Sequence, residues 1–406
     1  MMTMKEIFEE IQSSGGLTPS RRLRDIAQRF PDQVAFRDKR YGVWNEITYG
    51  EFWTQVQYVT CALNFFGVEK TDKVAIHSEN RPEWLIADIG IQALGGISVG
   101  LYPTNPPAEV KYLLSHSESK ILFAEDQEQV DKALEVIQDV PNLSKIIYFE
   151  EKGLFRYESD KLMRWDEFLK IGKEEFEKNK DFPNFCIDEI KSDDVALMIY
   201  TSGTTGPPKA SMLSHGNMEW TASIIPDLSF TPNISNPEYL SYLPLCHVFG
   251  RLVDEIIAIN SIGTINFAES IDTVQRDLAE IQPSIFPAVP RILERMHAGT
   301  LVRMKDASKL KQILFQLASF FGNITAKRRL KNPNDIIAKI SNFIAQILAF
   351  RSLRKKLGLL NVDNAVSGAA PISPEILRFF MSLGVPIYEG YGTVSYTHLR
   401  AHETCV

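Results

Sequence analysis

Residues 200–209 read Tyr-Thr-Ser-Gly-Thr-Thr-Gly-Pro-Pro-Lys, the strongest local signal in the chain. Gly203 and Gly206 let a backbone come close to a ligand, Ser202, Thr204 and Thr205 offer hydroxyls, and Lys209 adds a positive point charge. Donors of this kind around one cation suit the β- and γ-phosphates of a nucleotide. A Walker A loop has a different pattern, G-x-x-x-x-G-K-[ST]. Here two prolines separate Gly206 from Lys209, and Ala210 stands where the Mg2+-binding hydroxyl would be, which excludes a P-loop NTPase. His247, in Leu-Pro-Leu-Cys-His-Val-Phe-Gly-Arg (243–251), follows a short apolar segment, where an imidazole serves structure as readily as chemistry. Two further small-residue turns, Ser-Gly-Ala-Ala-Pro (367–371) and Tyr-Glu-Gly-Tyr-Gly (388–392), each follow a probable strand.

Strand–helix alternation must position these residues. Val74–Ser78, Ile97–Pro103, Lys120–Asp126 and Lys145–Glu150 read as short buried strands, with helical segments between them. One helix is entered through Asn80-Arg81-Pro82 and another through Pro106-Pro107, where a proline's missing N–H has no helical partner to lose. Such repetition implies a parallel sheet with helices on both faces. Residues 151–191 are more charged and read as a peripheral linker or surface insertion. Val195–Tyr200 opens a second α/β stretch, which ends in 364–392. There Ser373 is placed as an N-cap, Pro374 at the first helical position and Gly384 at the C-terminal stop.

Composition narrows the function. The 406 residues carry 44 Lys and Arg against 51 Asp and Glu, a net charge of −7, which argues against a protein built to hold nucleic acid. Cys61, Cys186, Cys246 and Cys405 lie far apart with no CxxC, so neither a disulfide scaffold nor a zinc site is evident, and a reducing cytoplasmic setting is expected. The N-terminus is polar, so no signal peptide is expected, and no apolar run approaches ~18 residues, so no membrane-spanning helix is expected either.

Thr-Ser-Gly-Thr-Thr-Gly-Pro-Pro-Lys (201–209), Ser-His-Gly-Asn (214–217), the His247 segment, Ser-Gly-Ala-Ala-Pro and Tyr-Glu-Gly-Tyr-Gly follow one another in the order found in adenylate-forming acyl- and aryl-CoA synthetases. Upstream, Asn-Arg-Pro-Glu-Trp (80–84) and residues 95–126 resemble the long-chain fatty acid–CoA ligase branch, as does the helical insertion at 297–360. The resemblance spans roughly residues 20–393. It implies the large N-terminal domain of that family, two α/β subdomains with mostly parallel sheets flanked by helices. The expected subdomains are 1–190 and 191–393, and 394–406 reads as a non-native tail.

The resemblance further implies a reaction and its participants. A long-chain fatty acid would attack ATP, with Mg2+, to give an acyl-adenylate and pyrophosphate, and the CoA thiol would then displace AMP. By resemblance Ser202, Gly203, Thr204, Thr205, Gly206 and Lys209 cradle the pyrophosphate, with Thr204 and Lys209 catalytic. Gly368, Ala369 and Ala370 match the adenine wall, Tyr391 the aromatic that stacks on the base, and His247 a residue near the acyl pocket. Two departures stand out. Gly250 occupies a position that is often acidic in the long-chain branch, and Val394 and Ser395 replace the Thr-Glu that touches phosphate and holds Mg2+. No metal ligand is assigned, a lid domain is expected to be missing from the sequence given, and the chain as given is expected to be inactive. Acyl transfer to a carrier protein and a non-catalytic nucleotide- or lipid-binding role stay open beside CoA ligation. A stripe of Ile336, Ile340, Phe343, Ile347 and Phe350, flanked by basic clusters, suits either a helix packed on its own domain or contact with the inner face of a membrane.

Overall fold

Strands with apolar side chains on both faces must be covered on both sides, which is the arrangement of the central sheet. The computed structural model describes residues 18–201, 206–224, 236–332, 334–362, 364–368 and 370–390. They form two compact units, one holding 18–224 and 241–267, the other 236–240 and 268–390.

Unit one opens with the helix Pro19–Arg29, then β1 (Val34–Arg40) and β2 (Val43–Thr48), an antiparallel pair with Arg37 opposite Glu46. The helix Tyr49–Phe65 starts on a reciprocal cap: Thr48 Oγ1 accepts from the Glu51 N–H at 3.2 Å, and Glu51 accepts from the Thr48 N–H at 2.8 Å. The main sheet follows: β3 (Lys73–His77), β4 (Ile97–Leu101), β5 (Ile121–Ala124), β6 (Lys145–Tyr148), β7 (Leu162–Arg164), β8 (Val195–Thr201) and β9 (Lys209–Ser214). Their spatial order is β7-β6-β5-β3-β4-β8-β9, and every pairing is parallel except β8 with β9. The crossover helices Pro82–Ala93, Pro107–Ser117 and Gln127–Val136 begin at the expected prolines or at the cap Asp126. β10 (Glu238–Ser241) carries the chain back into this unit, and β11 (Thr264–Phe267) pairs parallel with β1.

Unit two is built on three parallel strands, β12 (Ile285–Ala288), β13 (Asn364–Ser367) and β14 (Ile387–Glu389). Helices Val274–Ile281, Pro290–Lys305, Lys309–Arg329, Ile336–Leu357 and Pro374–Ser382 belong to the same unit. Ser373 Oγ accepts from the Glu375 N–H at 3.2 Å, and Gly384 takes φ +86° after the helix end, as the sequence leads one to expect.

The structure departs from three expectations. First, 151–191 is no peripheral linker. β7 extends the main sheet, and the helix Trp165–Lys178 packs Phe168 against Phe66, Phe123 and Trp165 with no exposure. Its charged residues are the solvent side of an amphipathic helix. Second, β8 does not open a second subdomain at 191. It pairs with β4, Val99 opposite Met198, because that edge of the sheet needs a partner, so unit one continues well past 190. Third, the helix Ile336–Leu357, with a π segment at Gln346–Phe350, is by length and composition able to cross a membrane.

His215 opens the helix His215–Ile224, is fully buried, and has neither ring nitrogen hydrogen-bonded. Burial pushes its imidazole down to about 4. Between roughly pH 6.5 and that value the unfolded chain binds the extra proton, so His215 contributes stability above pH 6.5 that is lost as pH falls through 4. Urea unfolding at pH 7 and pH 4 should show the wild type losing up to roughly 3 kcal/mol more than His215→Gln over that interval. Parallel losses would mean that the ring titrates normally.

Candidate active site

The phosphate-loop motif closes an antiparallel hairpin at the edge of the main sheet. Tyr200 of β8 lies opposite Ala210 of β9, and Thr201 opposite Lys209. Lys209 is therefore the first residue of a strand, with an exposed side chain, and Gly206 before it adopts φ +111°, which only glycine takes without strain. Ser202, Gly203, Thr204 and Thr205 lie outside the described residues. The hairpin is tied down on both sides: Tyr112 donates to the Pro208 carbonyl at 2.9 Å, and His116 Nδ1 lies 2.8 Å from the Tyr200 hydroxyl. Ser-His-Gly-Asn then anchors the far end. Asn217 Oδ1 accepts from the Ser214 N–H at 3.0 Å and Ser214 Oγ accepts from the Asn217 N–H at 3.2 Å, while the Gly216 N–H reaches the Ser192 carbonyl at 2.7 Å.

In unit two β13 and β14 run parallel with Ser367 opposite Glu389, so Ser-Gly-Ala-Ala-Pro and Tyr-Glu-Gly leave adjacent strands at their carboxyl ends. In open α/β sheets this is where ligands bind. The Gly390 N–H donates to the Ser367 carbonyl at 2.8 Å, and Glu389 accepts from the Ile372 N–H at 3.3 Å, which locks the two turns together. Ser367 is buried with no partner for its hydroxyl among the described residues, Gly368 is half-buried and Ala370 is exposed. Ala369 and Tyr391 lie outside the described residues, as do Val394 and Ser395.

His247 caps the short helix Val248–Arg251. Its Nδ1 accepts from the Phe249 N–H at 3.1 Å, which assigns the neutral ring's proton to Nε2, and burial lowers its pKa. The half-buried ring thus has a structural duty on one nitrogen and a donor on the other. Asn80 holds the preceding turn: its Nδ2 donates to Ser241 Oγ at 2.9 Å and to the Leu243 carbonyl at 2.7 Å, and its Oδ1 accepts from the Leu245 N–H at 3.0 Å. Gly250 has a physical reason too. A Cβ there would lie 2.3 Å from the Pro244 carbonyl oxygen and 2.6 Å from that of Leu243, so no acidic side chain fits this turn as it is folded.

Sequence reasoning missed the cluster beneath this turn. Arg251 is buried, with Nη1 2.8 Å from both Asp88 carboxylate oxygens and 3.1 Å from Glu255, Nη2 3.2 Å from Ser98 Oγ, and its guanidinium 4.6 Å from the Trp84 ring. Gln92 bridges Asp88 and Glu255 at 2.8 and 2.6 Å. Burial, with Asp88 close by, pushes Glu255 up to about 8, and burial alone takes Asp254, bonded to Ser241, up to about 7. The available signal was the run of charges Arg251, Asp254 and Glu255 inside an apolar helix. Among the described residues no group of three His, Cys, Asp or Glu side chains is placed to hold a metal ion.

An antiparallel hairpin at the edge of a mostly parallel sheet in unit one, and paired small-residue turns at parallel strand ends in unit two, define an α/β protein with turns where such sheets bind ligands. The AMP-binding enzyme family model matches residues 23–399, and the chain belongs to that family. It is 30% identical over 394 residues to the long-chain-fatty-acid–CoA ligase ACSBG2 of Xenopus laevis, covering 94% of this chain and 52% of that one. Human ACSBG2 is also 30% identical, with 91% and 55% covered. The chain thus spans about half the length of the curated relatives it matches. Two solved structures share the fold. The A domain of a carboxylic acid reductase from Segniliparus rugosus, in complex with AMP and a co-purified carboxylic acid, has TM-score 0.64 at 18% identity, covering 95% of this chain and 62% of that one. The N-terminal domain of FACL13 from Mycobacterium tuberculosis has TM-score 0.61 at 19%, covering 93% and 76%.

The His247 turn depends on a residue far away in sequence. Asn80→Ala should cost ~1–3 kcal/mol, the scale for leaving buried backbone groups unpaired. It should also shift the His247 ring resonances in an NMR spectrum. Unchanged stability and shifts would mean that the turn holds itself.

Proposed function

We propose that this chain is the nucleotide- and acyl-binding part of a long-chain fatty acid–CoA ligase. The observation that carries the reading is the phosphate hairpin with its exposed Lys209, set in a chain whose relatives are named for that reaction. A carboxylate is a poor electrophile because its leaving group would be oxide. Attack of the fatty acid on the α-phosphate of ATP expels pyrophosphate and makes an acyl-adenylate, from which the CoA thiol displaces AMP. Both steps build negative charge on oxygen, so preorganised donors lower the barrier. Ser202, Thr204, Thr205 and Lys209 are the phosphate donors in this proposal. Gly368, Ala369, Ala370 and Tyr391 receive the adenine, and His247 faces the acyl group through its Nε2 donor. Mg2+ enters with ATP, and the described residues supply no ligand set for it, so no step is assigned to the metal. The setting proposed is cytoplasmic.

The roles make separable demands on binding. Lys209→Ala should weaken ATP at least ten-fold, the scale of a charge-assisted hydrogen bond, and leave AMP nearly unaffected, because AMP lacks the phosphates that the lysine meets. Tyr391→Ala should weaken ATP and AMP alike by roughly ten-fold, and Tyr391→Phe should be mild. A non-hydrolysable palmitoyl-adenylate analogue should bind at least ten-fold tighter than AMP. Calorimetric titration measures all three. Equal loss of ATP and AMP in Lys209→Ala would remove the lysine from the phosphates, and an analogue no tighter than AMP would favour a nucleotide-binding role without acyl chemistry.

A further inference from the structure

The stripe that the sequence leaves either packed on its own domain or in contact with a membrane is largely solvent-exposed. Along the helix Ile336–Leu357, Ile336, Ile340, Phe343 and Ile347 are 55–73% exposed, and of the stripe only Phe350 is buried. Ala338, Ser341 and Ala345, a quarter-turn or more away, are the buried contacts. The helix Lys309–Arg329 runs antiparallel beside it, with Thr325 bonded to the Ala338 carbonyl and Phe315 against Phe350, and it also exposes Leu317 and Phe320. Exposed aliphatic and aromatic side chains at helical spacing are costly in water and call for an occupant.

Charge identifies that occupant. Residues 305–357 carry twelve Lys and Arg against two Asp, an excess of ten positive charges in a chain of net charge −7. Lys327, Lys331 and Lys339 are exposed toward one end of the stripe, and Arg351, Lys355 and Lys356 toward the other. An apolar face bounded by cations matches an anionic lipid surface, where acyl chains take the apolar side chains and headgroups meet the ammonium and guanidinium groups. A second copy of the same face would instead bring like charges together.

The structure also chooses between lying on a bilayer and crossing it. Although Ile336–Leu357 has the composition of a span, its other face is committed to the protein: Ala338 and Ala345 are fully buried, and Gln346 donates to the Leu383 carbonyl at 2.8 Å. Arg354 donates to the carbonyls of Leu359, Leu360 and Val362. Crossing would strip these contacts away. We propose that the exposed face of Ile336–Leu357 docks in the plane of an anionic membrane surface, through Ile340, Phe343 and Ile347 with Lys355 and Lys356 at its edge. The inference stands apart from the enzymatic reading, since docking requires no nucleotide.

Flotation of the purified chain with vesicles tests it, because aggregates sink while vesicle-bound protein rises. The wild type should float with vesicles of phosphatidylcholine and phosphatidylserine, and at least ten-fold less with phosphatidylcholine alone. Combined Ile340→Gln, Phe343→Gln and Ile347→Gln should lower the bound fraction at least ten-fold. Lys355→Glu with Lys356→Glu should lower it by a similar factor on anionic vesicles, at roughly five-fold per lost cation, and this loss should shrink as salt is raised. All these side chains are exposed, so the variants should stay folded, with melting temperatures within a few degrees of the wild type. The proposal is overturned if the wild type fails to float with anionic vesicles, or if both variants float as the wild type does. It is equally overturned if sedimentation equilibrium shows a dimer that the triple variant dissolves while lipid affinity is nil, which would make the face a protein interface.

Discussion

An arginine that is cut off from water must find its compensation where it stands, and in unit one that requirement governs the surroundings of the His247 turn. Removing an ion from water costs several kcal/mol even after relaxation, and attraction to a partner repays the cost only with good geometry. Arg251 meets it with Asp88, Glu255, Ser98 and the face of Trp84, so strand β4, the helix Pro82–Ala93 and the helix after His247 are held in one arrangement. Two carboxylates share that guanidinium, and burial with Asp88 close by takes Glu255 up to about 8, while burial alone takes the neighbouring Asp254, bonded to Ser241, up to about 7. Both shifts favour the protonated acid near neutrality, which lowers the cost of burying these side chains. π-Helical turns concentrate at functional sites, and Leu252–Ala258, which carries both acids, is one.

Above that cluster the turn from Ser241 to His247 has almost no freedom. Asn80 satisfies its backbone from one side, Ser241 is bonded to Asp254 from below, and Gly250 leaves just the space that the Pro244 carbonyl fills. The phosphate hairpin is held by different means. Among the described residues it runs from strand β8 to strand β9, where a Walker A loop runs into a helix, and it is held by Tyr112, His116 and the Ser214–Asn217 cap.

Much of this was legible in the residues alone. The prolines at 82, 107 and 374, the Ser373 cap and Gly384 mark helix ends through local chemistry, and all five stand where the sequence places them. The order of the short motifs pointed to the family without any structure, because each motif is a contiguous stretch readable residue by residue. Their partners were not legible. Nothing near Asn80 in sequence announces that it caps a turn more than 160 residues later, and Asp88 reads as an ordinary helix residue until Arg251 is set against it.

The sequence by itself determined the parallel α/β class, the Gly, Ser, Thr and Lys content of residues 201–209 and the basic, amphipathic character of residues 305–357. These are properties of residue type and of spacing within one element, and periodicity records them directly. Tertiary structure alone decided that β8 closes against β4 and that 151–191 completes the first sheet. It also decided that the stripe at 336–347 faces outward, because an apolar face looks the same in sequence whether a neighbour covers it or not. Which edge is paired and which face is covered depends on contacts between residues far apart in the chain, and no local pattern carries that information.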